Sequence, residues 1–541
     1  MTETPRDIEE TNATAPVGKI EHFVSKHFVR LLVWLAVSGG ALAIFGPWLL
    51  YVTGLTGETD ANLRLHILYV TGGTIAVLGL VETHRKNTTD RIKADADIQN
   101  YQASQSHQAK TLDEQARQFT ETIAKEREKI EADKVKNEQD HIRQVHAGRR
   151  SRYTTAIEQL SNDKASIRLG GVYTLVGLVD EWLADEIAIP NIEERRKEGQ
   201  VIINNLCAYI RSPFLLAERA EQLDEDYTKD PQIDFDGDKD KFDADKRVFA
   251  QEKATLEEER QIRQSIIKEM REHLHDAEKP GPWSEFDYDF SNAFFFYLTD
   301  FTRSHFDGFL NFTEAKFTQR ANFSEVIFAE RADFSGAEFT QAHFFRAEFT
   351  QNAHFSGAEF TGYANFFRAE FTQNAHFSGA KFTQNAHFSD AKFTQANFSG
   401  AEFTQDAHFS GVEFTQNAHF PDVKFTKANF SRAEFTEYAG FSDAKFTKAS
   451  FSGAEFTEYA GFSGAEFTGI TIFSEATFRS KPIFTLGNKA RFSHKTKPED
   501  YKFEVSHNSP YKIETEEQKY NGVKFIIPKG TELFDPDDPS S

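Results

Sequence analysis

The chain reads as a membrane-anchored α-helical region followed by an all-β solenoid, and three observations predict this. A phenylalanine recurs every five or six residues from Phe301 to Phe484, 35 times in succession. Two apolar runs, Leu31 to Val52 and Leu65 to Val81, lie near the N-terminus. The stretch from 86 to 150 is polar, rich in Glu, Lys, Gln and Asp, and free of proline. A fixed short period means a solenoid, in which each unit buries its apolar side chain only by stacking on copies of itself. Near-identical units do not build one unique constellation of reactive groups, so the period also weighs against catalysis.

Composition sets outer limits. At 541 residues the chain has room for two or three structured regions. A net charge of −22 disfavours nonspecific binding to nucleic acid through a basic surface. The single cysteine, Cys207, excludes an internal disulfide framework and suits a reducing compartment. It reads as a small core residue of an apolar helix.

Residues 1–30 form an N-terminal tail and residues 31–81 carry two transmembrane helices in this reading. Leu31 to Val52 is 22 residues without a charge, enough to cross a bilayer at a helical rise of about 1.5 Å per residue. Leu65 to Val81, at 17 residues, is at the lower limit, and a buried globular helix is its other reading. The first run starts too late and runs too long for a cleaved signal peptide. Lys19, Lys26 and Arg30 precede the first run, and Arg85, Lys86, Arg91 and Lys93 follow the second. The positive-inside rule then puts both termini in the cytoplasm of a multi-pass protein of the cell membrane.

A helical stalk is expected over 86–150. Leu112, Ala116, Phe119, Ile123 and Ile130 make a sparse heptad stripe interrupted at Glu126, so a coiled coil and a solvated single helix both fit. Residues 151–214 change character. Tyr153, Ala156, Ile157 and Leu160 have helical spacing, Asn162 and Asp163 break it, and Ile167 to Trp182 and about Glu193 to Ile210 supply two more helices. Gly170 and Gly171 suggest a close helix approach, since no phosphate-loop context surrounds them.

Three strings in this module carry a resemblance. Arg152-Tyr-Thr-Thr-Ala-Ile-Glu-Gln-Leu160, Ile167-Arg-Leu-Gly-Gly-Val-Tyr-Thr-Leu175 and Leu206-Cys-Ala-Tyr-Ile-Arg211 look like the helical module of bacterial membrane-anchored pentapeptide-repeat proteins. In that family the module stands between transmembrane helices and a repeat domain. The resemblance implies an architecture and brings no catalytic residue with it.

Residues 215–282 read as a charged linker and helix. Asp234, Asp236, Asp238 and Asp245 match positions 1, 3, 5 and 12 of a calcium loop, but Lys239 replaces the required glycine and Asp the final glutamate. A solvated acidic linker explains them better. Residues 251–274 suit a charged amphipathic helix, ended by Pro280-Gly-Pro-Trp283. Residues 283–300, with Trp283 and Phe294-Phe-Phe-Tyr297, are assigned as the cap of the first coil, at the head of a repeat region spanning 283–484.

The repeat has two flavours, such as Ala353-His-Phe-Ser-Gly357 and Ala358-Glu-Phe-Thr-Gly362. These are similar to the pentapeptide-repeat consensus, whose family fold is a right-handed quadrilateral β-helix. The resemblance implies that Phe and the alanine two before it point inward while the other three positions face solvent. Extra residues such as Asn352 must then bulge at corners. Four units per coil place Glu359, Lys381, Glu402 and Lys424 in one charge-alternating ladder. Glu348, Glu370, Lys392, Glu413, Glu434 and Glu455 fall on a mostly acidic one. His354 stacks on His376, and His387 on His408, as solvated polar ladders. Histidines without carboxylate or cysteine partners are weak metal ligands. Residues 485–541 lose the period and include a strand-like Val523-Lys-Phe-Ile-Ile527, which suits a C-terminal cap and tail.

No catalytic, cofactor-binding or metal-binding residue is assigned, and no cofactor. The leading functional reading is a non-enzymatic, membrane-tethered interaction module that displays its solenoid to a cytosolic protein. Its partners are the lipid bilayer, an unidentified protein, and a second copy through the stalk or a solenoid end. One alternative is a DNA-mimicking binder of a topoisomerase such as gyrase, by analogy with quinolone-resistance pentapeptide proteins. Residues 301–484 hold 21 acidic and 15 basic side chains, a modest acidic excess for a DNA mimic. Another alternative is an enzyme activity in the helical module, for which the sequence has no nucleophile elbow, zinc motif or phosphate loop.

Overall fold

The computed structural model describes residues 17–55, 69, 113–275 and 279–538. The chain divides into two compact units, 1–178 and 179–541, and the division falls inside a helix.

In the first unit, α1 spans Val17–Val52 and α2 spans Asp113–Leu160. The second helix is continuous, so the described part of the stalk and the first helix of the module are one element. Proline and glycine are absent from it except at Gly148, which leaves nothing to break it. After the Asn162-Asp163 interruption, α3 runs Ala165–Ala184. A Cβ placed on Gly171 would meet the Ala156 carbonyl oxygen at 2.8 Å, so α2 and α3 cross at a contact that glycine alone permits. The heptad stripe from Leu112 starts outside the described residues.

Among the described residues no helix is long and apolar enough to cross a membrane. This overturns the two-helix transmembrane hairpin, the membrane-anchored fold class and the multi-pass location with both termini cytoplasmic. Absence of charge is necessary for a span but not sufficient. The first run is diluted by Ser38, Gly39, Gly40, Gly46 and Pro47, which lower its apolar content. The second run lies outside the described residues apart from Tyr69. That residue donates its hydroxyl to the Ser166 carbonyl at 2.9 Å and its ring lies over Gly170, a contact with protein.

The second unit opens with the end of α3 and continues with α4, Ile192–Arg211. Asn191 caps α4 by accepting from the Glu193 N–H, and Ile202, Ile203, Leu206, Cys207 and Ile210 line its buried face. A 3₁₀ turn over Leu215–Arg219 leads into the short helices α5, Ala220–Asp224, and α6, Pro231–Asp234. The last helix, α7, covers Lys239–Leu274 with Asp238 as its N-cap. It therefore starts a dozen residues before the sequence-predicted helix at 251, inside the stretch expected to be linker. Charge density hid it. Only one face is apolar, with Leu256, Ile262, Ile266, Ile267, Met270 and Leu274 buried.

Beyond Tyr288 the chain winds into a β-solenoid of about nine turns. Up to Phe484 each coil pairs in parallel with the next, 21 or 22 residues on, as in Glu338↔Glu359↔Lys381. Phenylalanines stack in four interior columns that start at Phe290, Phe295, Phe301 and Phe306, and each column backs one side of the coil. Successive rings within a column lie nearly parallel, as for Phe355 and Phe377 (4.8 Å, 2°) and Phe360 and Phe382 (4.6 Å, 1°). Across the core, the Phe290 and Phe301 columns meet edge to face, as at Phe355 and Phe366 (5.5 Å, 89°). Offset stacks and T-shaped pairs are the favoured ring geometries, worth about 0.5–1.5 kcal/mol beyond the roughly 2–3 kcal/mol of burying each ring. The alanines two residues earlier are fully buried too, as at Ala353, Ala364 and Ala386.

The two flavours of repeat correspond to two kinds of corner. After rings of the Phe290 and Phe301 columns the chain turns tightly through a left-handed residue. Gly357 (φ +67°) and Gly379 (φ +67°) serve there, but so do Arg346 (φ +53°), Asp390 (φ +55°) and Glu475 (φ +60°). After the other two columns the corner is wide and takes the extra residue. Register shifts between Phe317 and Arg320, Phe371 and Asn374, and Phe403 and Asp406 mark the expected bulges.

The cap assignment for residues 283–300 is also corrected. Tyr288–Asp289, Phe294–Phe295 and Thr299–Asp300 pair with the next coil and are themselves the first coil. What covers this coil is α4 and α7. Phe214, just beyond α4, stacks on Phe296 at 5.6 Å, and Arg211 and Arg271 form ion pairs with Asp289 and Asp300. At the other end Arg491–Ser493, Tyr501–Lys502 and Glu532–Phe534 prolong the coil, and Thr515–Tyr520 and Val523–Pro528 form an antiparallel hairpin.

Candidate interaction surface

With the interior filled by rings and alanine methyls, chemistry is left to the outward positions. The parallel register places every fourth unit directly above its equivalent, so each side of the solenoid is a set of ladders one strand spacing apart, about 4.8 Å.

On the Phe295 side the residues before the rings from Lys316 to Arg491 mix both signs, and each acid has a basic neighbour in the ladder even where like charges meet at Glu338–Glu359 and Lys424–Lys445. Lys316 pairs with Glu338 at 2.7 Å, Lys381 with Glu359 at 2.6 Å, Lys424 with Glu402, and Lys445 with Glu466 at 3.1 Å. Glu359, Lys381, Glu402 and Lys424 are successive register partners, as the sequence predicted. Hydrogen bonds from Arg491 and Lys445 hold the Glu466 carboxyl below its usual range against the opposing effect of burial, the largest single influence on it. Exposed pairs of this kind stabilise by about 0–1 kcal/mol each. Their larger effect is to leave this side electrically balanced.

The Phe306 side differs. Glu348, Glu370, Lys392, Glu413, Glu434 and Glu455 are register partners in that order. Lys392 reaches Glu413 at 3.7 Å and Arg479 reaches Glu455 at 4.0 Å. The run Glu413, Glu434, Glu455 has no cation between its members. Like charges directly opposite in a sheet destabilise it, and here they run through three successive rungs, whereas the like pairs of the Phe295 side, Glu338–Glu359 and Lys424–Lys445, each have an ion partner on their far side.

The histidine ladders lie on the remaining two sides. His354 stacks on His376 at 4.9 Å, and His387 meets His408 edge-on at 5.5 Å. Partial burial depresses the basicity of His343, His354, His376, His387 and His419 below the ordinary imidazole value. Among the described residues no three His, Cys, Asp or Glu side chains converge as a metal ion would need.

The other residues singled out in the sequence have structural employment. Cys207 is buried, and burial pushes its thiol up to about 12. Asp234 accepts from the Asp230 N–H, Asp238 caps α7, and Asp245 binds Tyr227 and Lys229. The structure does not bring these carboxylates together as a calcium loop.

One polar cluster had no sequence signal. At the junction of helices and first coil, Arg263 is 1% exposed and pairs with Glu259 at 2.7 Å. It also donates to the Ile210 and Ser212 carbonyls and lies 5.5 Å from the centre of the Phe296 ring. Nearby, Asp180 accepts from the Trp283 indole at 2.9 Å and contacts His273, whose ring stacks on Trp283 at 4.2 Å. Burial alone would lower the basicity of His273, but Asp180 and the Glu269 carbonyl outweigh it and raise it. Glu259 and Arg263 are i,i+4 neighbours on α7, but their burial and the contacts to Ile210, Ser212, Asp180 and Trp283 join segments far apart in the chain, which no local pattern could announce.

A family model described as pentapeptide repeats (9 copies) matches residues 301–348, 344–391, 377–424 and 430–477. No curated protein and no solved structure is detectably similar to the chain.

Proposed function

We propose that this chain is a non-enzymatic protein-interaction scaffold whose working surface is the outside of its solenoid. The observation that carries this reading is the division of labour within each coil. Interior positions are rings and methyl groups, whereas outward positions form continuous, chemically distinct ladders. Pentapeptide-repeat proteins are in general scaffolds without catalytic activity, and the match to that family over 301–477 supports the same use here. The unbalanced Phe306 side is the first candidate for contact, because a partner's cations would relieve the repulsion along Glu413, Glu434 and Glu455. Charge mimicry of DNA fits less well, since the lysine–glutamate pairs neutralise the opposite side.

The test is affinity capture on the full chain, run beside a variant with Glu434→Lys and Glu455→Lys. Both substitutions place on the Phe306 side a residue that the same ladder already uses at Lys392. The reading expects at least one protein retained by the parent and lost by the variant at physiological salt. Identical retention by parent, variant and unrelated control surfaces would refute it.

A further inference from the structure

Corner length varies along the edge between the Phe295 and Phe301 columns, and the variation carves a groove. The corners after Phe403 and Phe467 contain the extra residue, Asp406 and Ile470, whereas those after Phe425 and Phe446 lack it. Two short corners therefore lie between two bulged ones. The register shift between Phe403 and Asp406 marks the first of these steps. A concavity of about 440 Å³ results, floored by Ala428, Ala449 and Ser450 and walled by His408 at one end and by Ile470 and Ile472 at the other.

The apolar wall breaks the rule of its own ladder. The outward column before the Phe301 rings runs Asp300, Asn322, His343, Asn365, His387, His408, Asn429, Ser450 and then Ile472. All but the last are polar. Both Ile470 and Ile472 remain partly exposed, and the interior packing does not use them. Apolar side chains gathered in a surface concavity mark a contact site. The charged residues lining the groove are Asp406, Lys427 and Lys448, and Lys502 lies one strand beyond the Ile472 wall. Lys427 is paired with Asp406 at 2.6 Å, but Lys448, at the groove, and Lys502, the register partner of Ile472, are exposed and make no ion pair among the described residues.

We infer that this groove docks a polypeptide segment presenting an apolar side chain beside a carboxylate. The apolar group would fill the floor against Ile470 and Ile472, and the carboxylate would meet Lys448 and Lys502. The inference rests on the scaffold reading and assigns it a second contact, of opposite charge preference to the Phe306 side. Such an anchor in a small pocket, with complementary charge at its rim, is the usual plan of a protein contact.

The experiment uses the full chain and three fluorescein-labelled nine-residue peptides in a glycine–serine background. One carries a leucine between two aspartates, one an alanine in place of the leucine, and one lysines in place of the aspartates. Fluorescence anisotropy should show saturable binding of the leucine–aspartate peptide and affinities at least tenfold weaker for the other two. Ile472→Asn, which installs the residue this ladder already holds at 322, 365 and 429, should weaken the first peptide about tenfold. The double variant Lys448→Glu with Lys502→Glu should reverse the charge preference. An unchanged melting temperature in both variants excludes misfolding as the cause. No saturable binding of the leucine–aspartate peptide at about 1 mM, or equal affinity for parent and Ile472→Asn, overturns the proposal. A captured partner that is sensitive to Glu434→Lys and Glu455→Lys yet indifferent to Ile472→Asn would remove the groove and leave the scaffold reading standing.

Discussion

The junction between helices and first coil and the coils themselves are stabilised in contrasting ways. At the junction each contact occurs once: a buried Arg263–Glu259 pair, the Phe214–Phe296 stack, and Asp180 held by Trp283 and His273. In the coils one ring contact is repeated along four columns. A unique contact has no substitute, whereas a repeated one shares its loss with its neighbours. The contrast teaches where the fold's specificity resides. Coils can be added or lost without changing the architecture, but the place where coiling begins is set by the junction.

The largest effects should come from removing one member of each kind. Phe388→Ala empties a fully buried site and is expected to cost about 3–5 kcal/mol. Arg263→Ala leaves the Glu259 carboxylate buried without its cation, also at about 3–5 kcal/mol. Hydrogen exchange separates the two. Protection should fall in the coils flanking 388 for the first variant, and across Tyr288–Asp300 for the second. Equal loss over the whole solenoid in both would erase the distinction.

Next in size is the tight corner. Gly357→Ala places a methyl where nothing lies within 4 Å but forces a left-handed alanine, so about 1–2 kcal/mol of destabilisation is expected from backbone strain alone. Glu475→Gly at the equivalent position should stabilise by up to about 1 kcal/mol. Denaturant melts that moved both variants in the same direction would contradict the corner assignment.

Acidification should act oppositely on the two regions. His343, His354, His376, His387 and His419 in the coils have basicity depressed by partial burial, so the fold favours their neutral form. That contribution is complete above the unfolded value of about 6.5 and is lost as pH falls through the depressed folded values. His273 at the junction has raised basicity. Its contribution is complete below about 6.5 and is lost as pH rises through the raised value. Between neutral pH and mild acid, exchange protection should decline in the coils around His354, His376 and His387 and hold or improve near Trp283. A uniform response would break the comparison.

The smallest effects concern the outer ladders. Lys381→Glu on the balanced side should destabilise by about 0–1 kcal/mol, and Glu434→Lys on the acidic side should be neutral or stabilising within the same range. Added salt should shrink both differences in thermal melts.

Much of this surface is legible in the sequence because the period is so regular. Once four units are assigned to a coil, counting alone places Glu359 over Lys381 and His354 over His376, and the pairing agrees. Counting from Phe301 leaves residues 283–300 as a cap, although part of them is the first coil, because Tyr288 and Thr299 stand there where later coils use Ala. It also missed the first turns of α7, whose apolar face is diluted by charge. The run at Leu31 to Val52 has the length, apolar character and lack of charge expected of a span, yet among the described residues no helix is long and apolar enough to cross a membrane.

By itself the sequence determined the solenoid through its period, and the resemblance to the pentapeptide-repeat consensus supplied four units per coil. Together they placed the rings in columns and ordered the charges of the Glu359 and Glu348 ladders, because a short period converts position in the chain directly into position in space. Tertiary structure decided what the period cannot encode. It chose α4 and α7 as the cover of the first coil and buried Arg263 beneath them. It also turned one missing residue at two corners into a groove. Each of these depends on groups brought together from distant or unequal segments, and packing alone selects among such pairings.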